Sequence, residues 1–187
     1  MKILSVAFAG AMFLASIAGA ANAQEFLTIQ LKDGPVVIEL DPSIAPKHVE
    51  RIKALAAAGE YDNVAFHRVI EGFMAQTGDV QYGDLEDGYQ PQGAGTGGSS
   101  QPDLPAEFSD VPFERGTIGM ARSQDPNSAN SQFFIMFAPG DFLNGQYTVV
   151  GKVVEGMENV DKIKRGDDAN NGSVTDPDRM VKVTVGK

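Results

Sequence analysis

Arg68 and Gln76 are the two side chains in this sequence best placed to do chemistry together. They lie within Phe66-His67-Arg68-Val69-Ile70 and Gly72-Phe73-Met74-Ala75-Gln76, among aromatic and thioether neighbours. On one continuous strand their spacing would put them on a single face, but Ile70, Glu71 and Gly72 mark a turn between them. Two facing strands then bring a guanidinium, an amide, Phe73 and Met74 around one shallow pocket. A fixed cation beside apolar surface suits a ligand that is apolar at one point and carries a carbonyl or amide at another. His67 falls on the opposite strand face and is expected to be structural.

Other chemistries find little support. The chain has no cysteine, which removes thiol catalysis, cysteine-based metal sites and disulfides. Gly93-Ala94-Gly95-Thr96-Gly97-Gly98 formally fits a dinucleotide-binding pattern, yet it neither follows an apolar strand nor opens a helix, because Pro102 and Pro105 come next. Asp167-Asp168-Ala169-Asn170-Asn171-Gly172 has the wrong spacing to its glycine for a calcium loop and no terminal glutamate, so it reads as an acidic turn. There is no serine nucleophile elbow. A net charge of −10 argues against nucleic-acid binding through a general basic patch.

The elements that must position the pair are many short strands and two helices. β-rich runs flank Asp33-Gly34 as a hairpin. Pro46 suits a first helical position, and Val49, Ile52, Leu55 and Ala56 recur at helical spacing before Gly59 stops the run. His48 lies on this helix and is expected to be exposed. After a long irregular stretch over about residues 80–115, strand-like runs resume at 117–121, 132–137, 147–154 and 180–185, with a short helix at 158–164. Alternation sends Phe133 to the core and Phe134 to the other face. Without regular βαβ alternation, this points to an antiparallel barrel or sandwich forming one domain.

Residues 1–23 stand apart. Met1-Lys2, an apolar run from Ile3 to Ala20 and the small-x-small triplet Ala21-Asn22-Ala23 have the anatomy of a cleaved secretory signal peptide. The expectation is an exported protein, periplasmic or secreted, whose domain spans residues 24–187 and has no membrane attachment after cleavage.

The strands around Arg68 and Gln76 closely resemble the signature strands of cyclophilin-type peptidyl-prolyl isomerases, in their bacterial exported form. Gly95-Thr96-Gly97-Gly98, Gly116-Thr117-Ile118-Gly119-Met120-Ala121, Ser131-Gln132-Phe133-Phe134-Ile135 and Leu143-Asn144-Gly145 match further family motifs in order. The run from Val150 to Met157 does so too, and together the motifs cover nearly all of residues 25–185. The resemblance implies a mainly β fold: a closed eight-stranded antiparallel β-barrel capped by two helices, with the active site on its outer face. Position by position, Arg68, Phe73 and Gln76 match the catalytic set. Met74, Phe134 and Leu143 match the proline-pocket walls, Gln132 a polar partner, and Ala121 and Arg122 the segment that meets the substrate chain. Phe142 and Tyr147 stand where cyclosporin-sensitive members carry a tryptophan and a histidine.

The implied reaction is rotation about an X–Pro bond in unfolded or partly folded proteins. No bond breaks, so no cofactor or metal is called for. Losing the indole N–H at Phe142 implies weak cyclosporin binding, and the chain is expected to be monomeric. Arg122, Ser123, Glu71 and Thr77 also depart from the family's usual residues, and residues 81–94 form a longer, acidic insertion. The alternative is a proline-segment binding module or chaperone without significant turnover.

Overall fold

A computed structural model describes residues 24–186. The expected leader, residues 1–23, lies outside the described residues. The first elements follow from local signals. β1 (Glu25–Leu31) and β2 (Gly34–Leu40) form a hairpin whose register brings Leu31 opposite Gly34. Gly34, at φ +137°, takes a conformation that side chains disfavour. Period-two alternation turns Leu27, Ile29 and Leu31 inward against Val36, Ile38 and Leu40, all of them buried.

Helix α1 (Pro46–Ala57) starts with its proline where the lost N–H costs nothing, and buries Val49, Ile52, Leu55 and Ala56. Its N-cap, Ala45, has no side chain able to cap. The Glu107 carboxylate does so from the long irregular segment, accepting the Lys47 and His48 amides at 3.1 and 3.2 Å. His48 is therefore not exposed as expected: it is fully buried, with Nδ1 2.7 Å from Glu107 Oε2.

The remaining strands are β3 (Arg68–Ile70), β4 (Met74–Thr77), β5 (Thr117–Met120), β6 (Phe133–Met136), β7 (Val149–Glu155) and β8 (Lys182–Gly186). Every pairing is antiparallel, and the strands run in the order β3-β4-β6-β5-β7-β2-β1-β8. The ladder is thus open, and the expected closed barrel is corrected to an eight-stranded half-open one. Between the edge strands β3 and β8 lie non-strand residues, joined by Asn63 N–H to Met180 O (2.7 Å), Met180 N–H to Val64 O (2.9 Å) and Phe66 N–H to Asp178 O (2.8 Å). Asp176, at φ +53°, and Pro177 prevent β8 from extending backwards into a regular ladder there. The second helix, α2 (Met157–Val160), is also shorter than the expected 158–164. After it the bonds tighten to three-residue spacing, Lys162 N–H to Asn159 O and Ile163 N–H to Val160 O, and a turn follows.

β6 is buried on both faces. Phe133 and Ile135 point into the main core, where Phe133 meets Tyr61 edge to face at 5.6 Å. Phe134 and Met136 join Met74, Phe113, Leu143 and Val149 in a smaller apolar cluster outside the sheet. That outer cluster is the platform for the site.

Candidate active site

The β3–β4 hairpin pairs Arg68 directly with Gln76 and Ile70 with Met74. β4 then pairs with β6, placing Gln76 beside Phe134 and Met74 beside Met136. Both pairings expose the same face, so the guanidinium, the amide, the thioether and an aromatic ring converge on one spot. Around it lies a cavity of about 290 Å³. Met74, Phe134 and Leu143 are its buried walls, Phe73 and Tyr147 are half-buried, and Phe142, 66 % exposed, stands on the rim. Phe73 and Phe142 are 5.5 Å apart between ring centres, and Phe134 meets Tyr147 at 5.9 Å with the rings nearly perpendicular.

Arg68 is held on several sides. Nη1 donates to Gln76 Oε1 at 3.3 Å and lies 3.8 Å from Met74 Sδ. Nε donates to the Asn171 carbonyl and Nη2 to Asn171 Oδ1, each at 3.0 Å. Gln76 passes the restraint on, its Nε2 donating to Gln132 Oε1 (2.9 Å), and Gln132 Nε2 donates to Gly97 O (2.8 Å). Partial burial lowers the Arg68 pKa from its ordinary value, but a guanidinium stays charged at any relevant pH.

Ala121 and Arg122 line the cavity opposite Arg68. The Arg122 guanidinium lies 4.4 Å from the Tyr147 ring centre and donates to Ser123 O and Gln146 O, each at 2.9 Å. Arg122 is therefore a brace across the wall rather than a free cation. Gln132 is the one sequence-predicted residue outside this cavity. It lines a neighbouring polar cavity of about 520 Å³ with Gly95, Gly97, Ser99 and Asn130, and Gln76, Ala121 and Arg122 line both.

The irregular segment behind this second cavity is organised by Asp79. Its buried carboxylate accepts the amides of Gln81 (3.1 Å), Tyr82 (3.0 Å), Gly95 (2.7 Å) and Gly97 (2.9 Å). His67 packs against Gly95, and neither ring nitrogen has a partner among the described residues. Burial lowers its pKa, with the nearby Asp79 charge opposing, so the ring stays neutral as a structural residue would.

A fixed guanidinium beside a small cavity with apolar walls has the chemistry to bind and polarise an amide. The family model described as "Cyclophilin type peptidyl-prolyl cis-trans isomerase/CLD" matches residues 26–185. The chain belongs to the cyclophilin-type peptidyl-prolyl cis-trans isomerase family. It is 58% identical to a probable peptidyl-prolyl cis-trans isomerase of Brucella suis over 99% of this chain and 97% of the relative. Among solved structures, a Cryptosporidium parvum cyclophilin crystallised in the presence of the dipeptide Ala-Pro is 29% identical, with a TM-score of 0.73, covering 87% of this chain and 99% of that one. The Hirschia baltica cyclophilin AquaCyp293 is 25% identical at a TM-score of 0.69, covering 85% and 73%.

Two residues of this cyclophilin's site escaped the sequence reading. Asn171 sits in the turn read only as acidic, although its Asn-Gly pair signals a left-handed residue, and its φ is +53°. Asp79 carried no sequence signal beyond its place at the end of the second signature strand.

Proposed function

We propose that this chain accelerates cis–trans rotation of X–Pro bonds in unfolded or partly folded polypeptides, with Arg68 as the group that favours the twisted amide. Amide resonance sets the barrier at about 18–20 kcal/mol. As the bond twists, its nitrogen pyramidalises and regains a lone pair. A guanidinium against that nitrogen interacts more strongly with the twisted state than with either planar form, which is the requirement for raising kcat. The observation that carries the reading is the Arg68 guanidinium, held by Gln76 and Asn171 at the edge of the cavity walled by Met74, Phe134 and Leu143.

One charge-assisted hydrogen bond contributes roughly 1.5–3 kcal/mol, or about one to two powers of ten in rate. Holding the ring on Phe73, Phe134 and Leu143 while the preceding carbonyl swings supplies further acceleration by restricting the reacting geometry. Ala121 and Arg122 guide the chain ahead of the proline.

The leader-like residues 1–23 support export to the periplasm or beyond, and a reporter active only outside the cytoplasm, fused after Ala23, tests that part. Phe142 in place of an indole donor supports weak cyclosporin binding. The activity itself is tested by NMR exchange on an X–Pro peptide. Exchange catalysed by the wild type and slowed by about one to two powers of ten in Arg68→Ala, with peptide binding retained, is the expected result. Peptide binding with no acceleration by the wild type would make the chain a proline-recognition module instead.

A further inference from the structure

We propose that Asn171 is a positioning residue that sets the orientation of the Arg68 guanidinium, through the turn at residues 167–173. The inference rests on the reading of Arg68 given above and adds the element that aims it.

The turn is fastened to the backbone on both sides of Arg68. Gly166 N–H donates to Val69 O, Val69 N–H to Gly172 O (both 2.8 Å) and Val174 N–H to His67 O (3.1 Å). Gly172, at φ +77°, lets the chain lie flat against β3 there, since a Cβ would stand 3.1 Å from Val69 O. Internally the turn is closed without the Asn171 side chain. The Asp167 carboxylate accepts the Ala169 amide (3.0 Å), the Asp167 carbonyl accepts the Gly172 amide (2.8 Å), and the Asn170 carbonyl accepts the Ser173 amide (3.0 Å). Among the described residues the Asn171 side chain has one hydrogen-bond partner, Arg68.

What Asn171 offers is geometry. Its left-handed backbone turns the carbonyl and Oδ1 toward the same guanidinium edge, and Nε and Nη2 meet them at equal distances. Gln76 takes Nη1 from the other side. A guanidinium has five N–H donors in a rigid plane. With three of them committed to oxygen acceptors and a fourth turned to the Met74 sulfur, the plane is fixed and one Nη2 N–H is left for substrate. Both acceptors are exposed to solvent, so water can replace their hydrogen bonds but not their direction.

The test uses Asn171→Gly, which keeps the left-handed conformation and the backbone acceptor, and Asn171→Asp, which keeps a side-chain acceptor at the same reach. We expect Asn171→Gly to lower kcat by about three- to tenfold with KM within about twofold, the pattern of an interaction used only in the transition state. Asn171→Asp is expected to recover most of that loss. In an Arg68→Ala background the Asn171→Gly loss should vanish, because the two side chains then act as one unit. A wild-type kcat in Asn171→Gly overturns the inference, as does a loss that persists without Arg68 or that Asn171→Asp fails to restore. If Arg68→Ala alone leaves isomerisation intact, the underlying reading of Arg68 fails instead.

Discussion

Gly119→Ala should damage the candidate proline pocket from behind, without replacing any residue that lines it. Gly119 lies on β5 directly opposite Phe134 of β6. A methyl built at this position meets Phe134 Cζ and stands 2.6 Å from Phe113 Cε1 and 2.8 Å from Phe134 Cε2. Carbon atoms pack at about 3.5–4.0 Å, so both rings must give way, by roughly an ångström relative to the methyl. Phe113 has little room to do so. It is fully buried, its amide donates to Asn144 Oδ1 and its carbonyl accepts from Gly140, both at 2.8 Å. The two rings are stacked 5.7 Å apart. Phe134 is therefore the ring that moves further, and the space open to it is the 290 Å³ cavity.

Overpacking of this kind costs about 1–3 kcal/mol. Replacing a strand glycine by alanine returns about 0.5–1 kcal/mol, and the backbone at Gly119 is not in the left-handed region, so no strain is added. The expected net loss is modest, roughly 1–2 kcal/mol in urea denaturation. The effect on turnover should be larger, because misplacing a positioning group by about an ångström can cost up to about a hundredfold. Gly186→Ala, which adds a methyl in open space on β8, should leave both quantities unchanged. Phe113→Leu combined with Gly119→Ala should recover part of the activity. If Gly119→Ala kept wild-type isomerisation, Phe134 could not be the fixed wall that the site requires.

Asp79→Ala leaves four amides without their acceptor, and should cost about 3 kcal/mol or more in urea denaturation, with early proteolytic cleavage within residues 80–98. Asp79→Asn keeps one acceptor oxygen and should fall between. Phe142→Trp adds an N–H on the exposed rim, and should tighten cyclosporin binding by about tenfold in calorimetry. Stability should fall on acidification, because burial holds both histidines, His48 and His67, below their ordinary value of 6.5, so the unfolded chain takes up protons first as the pH drops. Each contributes at most about 1.4 kcal/mol per pH unit in that window, and His48→Gln should remove one of the two contributions from the slope of urea midpoints against pH.

Where the determining contacts are close in sequence, the fold was legible. The β1–β2 hairpin follows from Asp33-Gly34, α1 from Pro46 and its apolar spacing, and the Arg68–Gln76 pairing from the turn before Phe73. Strand order was not readable this way. β5 and β6 are buried throughout, so neither shows the alternation that marks a half-exposed strand. The number of strands came from family resemblance, and that same resemblance suggested closure. The opening between β3 and β8 depends on Asp176 and Pro177, a short departure whose consequence appears only once the two edges are brought together.

Two contacts that the sequence left hidden, one at the site and one at the start of α1, share one physical cause. Asn171 is 103 residues from Arg68, and Glu107 is 59 from His48. In each case a side chain's role is decided by a partner that chain distance makes invisible. His48, on a short helix with polar neighbours, looks solvent-facing because an uncapped helix start normally faces water. Glu107 reverses this by covering the start from outside, and the burial it creates also disfavours a charge on the imidazole, whose Nε2 has no partner among the described residues. Burial opposes ionisation of Glu107 as well, but hydrogen bonds from the His48 ring and from the His48 and Lys47 amides outweigh it and hold the carboxyl below its ordinary value. That contribution is present above about pH 4.5 and is lost as the pH falls through the lowered value. The cap and the histidine therefore fail in succession on acidification, His48 first, and the start of α1 should lose amide protection before the β-sheet does.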